Sequence, residues 1–193
     1  MKLAILIPTI VGREYFFNRL IDILQPQAER FEKDVVLLTL KDNREKTIGE
    51  KRNILTDMAV NAGATHRAFI DDDDIVSDNY LDLNMPGVYG DYDCNSLIGI
   101  YSVNGVVDPK KHIFTHSLKY DRWFEDDKFY YRNPNHLNVI KLDLIKDIRF
   151  QEKNFGEDGC FSEDLHRAGV LKTEFEITVP FYHYLFRTKH DGL

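Results

Sequence analysis

Cysteine is scarce: Cys94 and Cys160 are the two in 193 residues, far apart and in no CxxC pair. A disulfide framework and a thiolate zinc site are both disfavoured, and a reducing compartment, the cytoplasm, is the expected location. Long apolar runs are also missing. None approaches the roughly 18 residues that suggest a membrane span. The run Leu3 to Ile7 is too brief for a secretory leader and no small-residue cleavage site follows it, so a buried first strand is expected. Excess positive charge is lacking too: 25 Lys and Arg stand against 32 Asp and Glu, a net charge of -7. That disfavours broad binding to nucleic acid or anionic membrane, while leaving room for a local basic groove. Internal repeats, low-complexity tracts and flexible linkers are absent.

The composition is an ordinary globular mixture, 43% apolar and 30% charged. Its length is that of a single domain with a full core, here 1–193. Leu3 to Ile7, Val35 to Leu40 and Ala68 to Ile70 are short continuous apolar runs, the pattern of strands covered on both faces. Between them, Phe16, Phe17, Leu20, Ile21 and Leu24 fall at helical spacing, as do Ile48, Leu55, Met58, Ala59 and Ala62 before a capping Gly63. Strand and helix in alternation predict a parallel α/β sheet. From Asn95 to Arg132, short runs broken by Asn104-Gly105 and Asp108-Pro109 predict hairpins or mixed strands. A short helix is expected near Leu142 to Lys146, a firm one over Glu157 to Ala168, and a late strand over Lys172 to Val179. One continuous sheet is expected to join the two halves.

Three clusters are candidates for chemistry. Asp71-Asp72-Asp73-Asp74 follows a predicted buried strand. Four adjacent carboxylates repel unless a cation or solvent screens them. Ligands of parallel sheets sit at strand carboxyl ends, and oxygen donors suit Mg2+ and Mn2+; the plain alternative is a solvated acidic loop. Thr47-Ile48-Gly49-Glu50-Lys51-Arg52-Asn53 opens a helix with two cations in its first turn, against the helix dipole. A docked diphosphate would resolve that conflict; the alternative is a surface helix with ordinary pairs such as Asp57 with Asn53. Gly156-Glu157-Asp158 opens another helix, where simple dipole compensation is the alternative.

Taken in order, Pro8-Thr9, Gly49-x-x-Arg52-Asn53, Phe69-Ile70-Asp71-x-Asp73-Asp74 and Gly156-Glu157-Asp158 resemble the GT-A fold of family 2 glycosyltransferases. The resemblance spans Ile5 to about Gly169. It implies a mixed, mainly parallel central sheet flanked by helices, with a nucleotide-sugar-binding half over 1–94 and an acceptor and catalytic-base half over 95–193. It implies metal-dependent, inverting transfer from a nucleotide sugar, UDP-linked, to an acceptor hydroxyl, with Mn2+ or Mg2+ as cofactor. Pro8 and Thr9 would lie beside the nucleotide. Asp73 would bind the metal directly, and Asp71 would face the ribose or the metal's water shell. Asp72 and Asp74 would support them. Asp42 resembles the base-contacting acid, Arg13 and Arg52 the diphosphate contacts, with Lys51 in reserve. Asp158 would be the catalytic base, beside Glu157.

His183, after the last predicted strand, fits the place of a C-terminal metal-binding histidine, with His190 as its rival. His136 is a candidate acceptor contact. Trp123, with Tyr120, Phe124, Tyr130 and Tyr131, reads as a sugar-stacking platform or as core, with core favoured. Asp91-Tyr92-Asp93 has no strand before it and reads as a turn. The acceptor stays open: a glycan, a lipid-linked glycan, a protein, or a hydroxylated DNA base of a phage. Two other readings remain, a nucleotidyltransferase and a non-catalytic nucleotide-sugar-binding protein. The first needs a glycine-rich phosphate loop, and Pro8 to Arg13 holds a single glycine. The second predicts loss of the base or metal carboxylates, and both are present.

Overall fold

The computed structural model describes residues 1–188. Its first sheet runs in the order β11-β5-β10-β3-β1-β2. These strands are β1 (Leu3–Ile10), β2 (Val35–Asp42), β3 (His66–Phe69), β5 (Cys94–Asn95), β10 (Ile140–Lys141) and β11 (Glu174–Phe175). β1 pairs in parallel with both β2 and β3. The crossovers are α1 (Glu14–Phe31) and α2 (Ile48–Asn61), and two further helices follow, α3 (Tyr80–Tyr89) and α4 (Glu157–Ala168). Leu3, Ile5 and Ile7 share a core with Leu20 and Leu24 of α1 and Leu81 and Met85 of α3. Ala4 and Leu6 share another with Leu55 and Ala59 of α2 and Phe161 and Leu165 of α4. Because successive strand residues face opposite sides, a strand clad on both faces must be apolar throughout, as β1 is.

A second sheet follows the order β4-β12-β6-β7-β9-β8. Its strands are β4 (Ile75–Val76), β6 (Leu97–Val103), β7 (Ile113–His116), β8 (Phe124–Glu125), β9 (Phe129–Arg132) and β12 (Tyr182–Phe186). This corrects the expectation of one continuous sheet. The chain leaves one sheet for the other at Ser96, where β5 ends and β6 begins. There the Ser96 hydroxyl accepts from the Ile177 N–H at 2.8 Å, tying that corner to the segment that makes the same change after β11. For that reason the expected strand from Lys172 to Val179 shrinks to the two residues of β11. The short helix near Leu142 is a single 3-10 turn, Leu142–Leu144. The hairpin signal at Asn104-Gly105 holds: β6 and β7 pair antiparallel, and Val103 bridges Val106 across the turn. Helix α4 stands where expected, with Gly169 at φ 60° closing it. The Asp91 to Asp93 segment is a turn between α3 and β5, with Asp91 at φ 58°.

Two crossings between the sheets matter for function. β3 lies in the first sheet and β4 in the second, so the acidic run Asp71–Asp74 spans the junction. β9 lies in the second and β10 in the first, which brings Asn133 to His136 back across the same junction.

Candidate active site

A cleft of about 1240 Å³ opens at this junction. Pro8, Arg13, Lys51, Arg52 and Asp71 to Asp73 line one side, Tyr101, Tyr130, Arg132 and Tyr184 the other, with His136, Glu157 and Asp158 between.

The four aspartates divide by backbone position. Asp72 and Asp74 are 1% exposed and turn inward. Asp72 accepts from the Thr9 hydroxyl at 2.6 Å and meets Arg13 Nη1 at 2.9 Å. Asp74 accepts from the Tyr182 hydroxyl at 2.7 Å and the Leu185 N–H at 2.9 Å. Burial pushes the Asp72 carboxyl up to about 6, against the pull of Arg13 and Thr9. Burial, then the charges of Asp71 and Asp73, raise Asp74 well above the carboxylate range despite its two donors.

Asp71 and Asp73 turn outward, their side chains 28% and 26% exposed. Arg52 Nη2 stands 3.0 Å from Asp71, and the His136 ring 3.7 Å from it. Burial opposes ionisation of Asp71, yet Arg52 and His136 outweigh it and hold the carboxyl below its usual range. Asp73 is gripped by Arg13 and by Arg187, the latter at 2.9 Å. Arg19 donates to its backbone carbonyl at 2.9 Å.

The cations of α2 are not surface groups. Lys51 and Arg52 are each 3% exposed. Thr47 and Glu50 form a reciprocal cap at the start of α2. Lys51 reaches back to the Thr9 carbonyl at 2.9 Å and pairs with Asp42. Arg52 bridges Asp71 and Glu157. The conflict with the helix dipole is thus resolved by the protein's own carboxylates, where a docked anion was expected. The suggested Asn53–Asp57 pair is absent as well: Asn53 holds the Phe150 backbone, and Asp57 pairs with Arg149 at 2.6 Å.

Asp158 opens α4 beside Glu157, and its carboxylate accepts its neighbour Gly159 N–H at 2.8 Å. Among the cleft-lining carboxylates it lacks an ion-pair partner among the described residues. Trp123 is 38% and Phe124 43% exposed, which corrects the core reading of that aromatic group. The Trp123 indole N–H donates to the Ser162 hydroxyl on α4 at 3.2 Å. His136 is buried beside Asp71 on the acidic side of the cleft. His183 stands on the other face of β12 from Tyr184: its Nε2 lies 3.1 Å from the Ser102 hydroxyl, and it is not among the residues lining the cleft. His190 lies outside the described residues. Arg187, Arg132 and Tyr182 escaped the sequence reading, since each sits in a strand or at its end with no local motif to mark it.

Among the described residues no three of His, Cys, Asp and Glu converge as a ready-made metal cage. Two outward carboxylates, Asp71 and Asp73, at the mouth of a cleft still fit Mg2+ or Mn2+, which commonly take one or two protein carboxylates with substrate phosphates and waters.

The fold is that of the GT-A glycosyltransferases. Among solved structures, residues 1–349 of S. aureus TarS match with a TM-score of 0.61 and 15% identity over 96% of this chain. The same protein bound to UDP-GlcNAc gives 0.61 and 15% over 98%. The catalytic domain of Drosophila β1,4-galactosyltransferase 7, in complex with xylobiose, gives 0.52 and 15% identity, covering 100% of this chain and 67% of that one. A197 from STIV gives 0.52 and 15%, over 92% of this chain and 82% of that one. The chain spans 60% of the TarS 1–349 structure. No family model and no curated protein sequence matches.

Proposed function

We propose that the chain transfers a glycosyl group, with inversion, from a UDP-linked sugar to an acceptor hydroxyl. The observation that carries this reading is the placement of Asp158 in the same cleft as Asp71, Asp73 and their arginines. It rests on the GT-A fold, and a fold match to a structure holding UDP-GlcNAc supports the choice of donor.

Inverting transfer is a single in-line displacement at the anomeric carbon. The acceptor hydroxyl loses its proton as it attacks, and the Asp158 carboxylate takes it. Glu157, locked to Arg52, holds the first turn of α4 in place and is less suited to accept a proton. Arg13 and Arg187, now on Asp73, stand where a diphosphate would arrive, and they neutralise the charge that the leaving group gains. Asp42 anchors Lys51 at the edge of the cleft, and Thr9 fixes Asp72 behind it. A Mn2+ or Mg2+ ion held by Asp73, with Asp71 in its water shell, would supply further neutralisation of the departing diphosphate.

The test is calorimetric titration of UDP with Mn2+ present, paired with assays of slow UDP-sugar hydrolysis. Binding of UDP and hydrolysis of at least one UDP-sugar are expected. Asp158→Asn should keep UDP affinity and lose transfer, whereas Asp73→Asn should weaken UDP binding about tenfold and only when metal is present. Equal failure of the native protein to bind any UDP-sugar would refute the reading.

A further inference from the structure

Arg132 lines the cleft and has no part in the transfer chemistry. Arg132 ends β9, on the second-sheet wall. Its guanidinium lies 4.3 Å over the ring of Trp123. Among the described residues no carboxylate pairs with it. Arg13, Lys51, Arg52 and Arg187 in the same cleft are each paired with a carboxylate. Half-burying an unpaired cation is unfavourable, and proteins rarely keep one without a use.

Its surroundings say what it would meet. Trp123 is fixed over the first turn of α4, its six-membered ring 3.8 Å from where a Cβ on Gly159 would lie. That glycine follows Asp158. Beside this pair, Tyr101 stacks on Tyr184 at 5.7 Å and on Phe186 at 6.2 Å, both at 28°. Aromatic faces are electron-rich, and the C–H face of a pyranose ring is their natural partner. A planar guanidinium binds phosphate or carboxylate through two parallel hydrogen bonds.

We propose that this wall is the acceptor subsite, and that the acceptor is a saccharide bearing an acidic group, which Arg132 binds while Trp123 stacks on the ring. The proposal rests on the transfer reading above. Burial pushes the Arg132 guanidinium below its usual value, with Asp158 working against that, so an incoming anion relieves a real cost. The chain carries a net charge of -7, which repels acidic ligands at long range. A local cation is what lets such a ligand settle beside Asp158.

Trp123 is the single tryptophan of the chain, so its fluorescence reports on this subsite alone. The experiment titrates the full chain, with and without UDP and Mn2+, with glucose, glucuronate, glucose 6-phosphate and inorganic phosphate. Both acidic sugars should quench Trp123 saturably, at least tenfold tighter than glucose. The tighter of the two identifies carboxylate or phosphate as the preferred group. Arg132→Gln should bring both down to the glucose level, Arg132→Lys should restore part of the preference, and UDP affinity by calorimetry should not change in either. The proposal is overturned if neither acidic sugar quenches, if glucose binds as tightly, or if Arg132→Gln keeps the preference. Inorganic phosphate matching glucose 6-phosphate would overturn it too, since the ring would then add nothing. A tenfold loss of UDP affinity in Arg132→Gln would move Arg132 to the donor and overturn it likewise. A native protein that prefers acidic sugars yet binds no UDP would instead sink the transfer reading.

Discussion

On the first-sheet wall of the cleft, Arg13, Lys51 and Arg52 each end on a carboxylate; on the second-sheet wall, Arg132 ends on an indole ring. The first wall is set by opposite charges on different elements: β1, α2, the Asp71–Asp74 run and α4 are tied to one another before any ligand arrives. Buried ion pairs add little net stability, but they fix geometry, and removal of one partner strands the other. The second wall is set by stacked rings from β6, β9 and β12, whose contacts are less directional and tolerate sliding. Under the proposed transfer, that division would serve a site that holds one diphosphate in one place, beside a wall that meets a larger and more varied partner.

The comparison breaks most visibly at Arg52. Arg52→Ala leaves Asp71 with His136 alone and Glu157 buried without a partner, and should cost about 3–5 kcal/mol. Arg132→Ala on the other wall removes a cation over a ring and should cost about 1 kcal/mol. Urea unfolding of the two variants decides this. Similar losses would mean that the first wall is not held by its charges.

Acid should separate the carboxylates within the first wall. Asp72 has its pKa raised to about 6 from 3.8. Between those values the folded state binds more protons than the unfolded one, so stability falls as pH rises from about 4 to about 6. Asp74 is shifted the same way. Asp71 is shifted the other way, so its contribution is present above pH 4 and is lost as pH falls below it. Thermal melts of the native protein and Asp72→Asn should therefore differ with pH, the native protein gaining up to about 3 kcal/mol relative to the variant as pH falls from about 6 to about 4. Asp72→Asn should flatten that slope to the share carried by Asp74. Parallel pH profiles for the native protein and Asp72→Asn from pH 6.5 to 4.5 would contradict the inward, buried placement of Asp72.

Gly49 gives a smaller effect on the same wall. A Cβ there would lie 1.9 Å from the Gln151 carbonyl oxygen, backbone that leads into α4. Gly49→Ala should cost about 1–3 kcal/mol by overpacking and should shift Asp158 with it. Unchanged stability together with unchanged hydrolysis of UDP-sugar would show that α2 and the segment before α4 adjust independently.

The first wall was largely legible in the sequence because its parts are local. Ile5 to Thr9, Lys51-Arg52, Asp71 to Asp74 and Glu157-Asp158 are each short motifs next to a periodic segment, and chain order alone groups them. The sequence also told which strand would be clad on both faces, since continuous apolarity of Leu3 to Ile7 has that cause. The second wall was legible only in part: Trp123 and Tyr130 were offered as a stacking platform, with core favoured, and both line the cleft. Tyr101, Tyr130, Arg132 and Tyr184 come from three strands whose pairing is set by the change of sheet at Ser96, and nothing in their local sequence separates a ring that lines a cleft from one in a core. Arg187 was missed for the same reason: its meaning comes from Asp73, more than a hundred residues earlier. The helical position of Lys51 and Arg52 was visible, while the carboxylates that pair with them lie on distant segments.

The smallest effect concerns His183, where the two walls meet on one strand. Tyr184 lines the cleft, and in a strand its neighbour points to the opposite face. His183 accordingly meets the Ser102 hydroxyl on the neighbouring strand β6, two residues along from its register partner Ile100. Burial, and then the charge of Arg19, hold the imidazole below its usual pKa, so it is neutral at pH 7. A depressed histidine pKa means that the unfolded state takes up the proton first, so stability is lost as pH falls below about 6.5. His183→Ala removes one hydrogen bond and some packing, and should cost about 1 kcal/mol at pH 7. It should soften the loss of stability from pH 6.5 to pH 5.5 and leave Mn2+-dependent UDP binding as it was. The paired measurement is a thermal melt without metal and a Mn2+ titration with UDP present. A tenfold loss of Mn2+-dependent binding with an unchanged melt would return His183 to the metal, and would require β12 to rotate its face toward Asp73 when the donor binds.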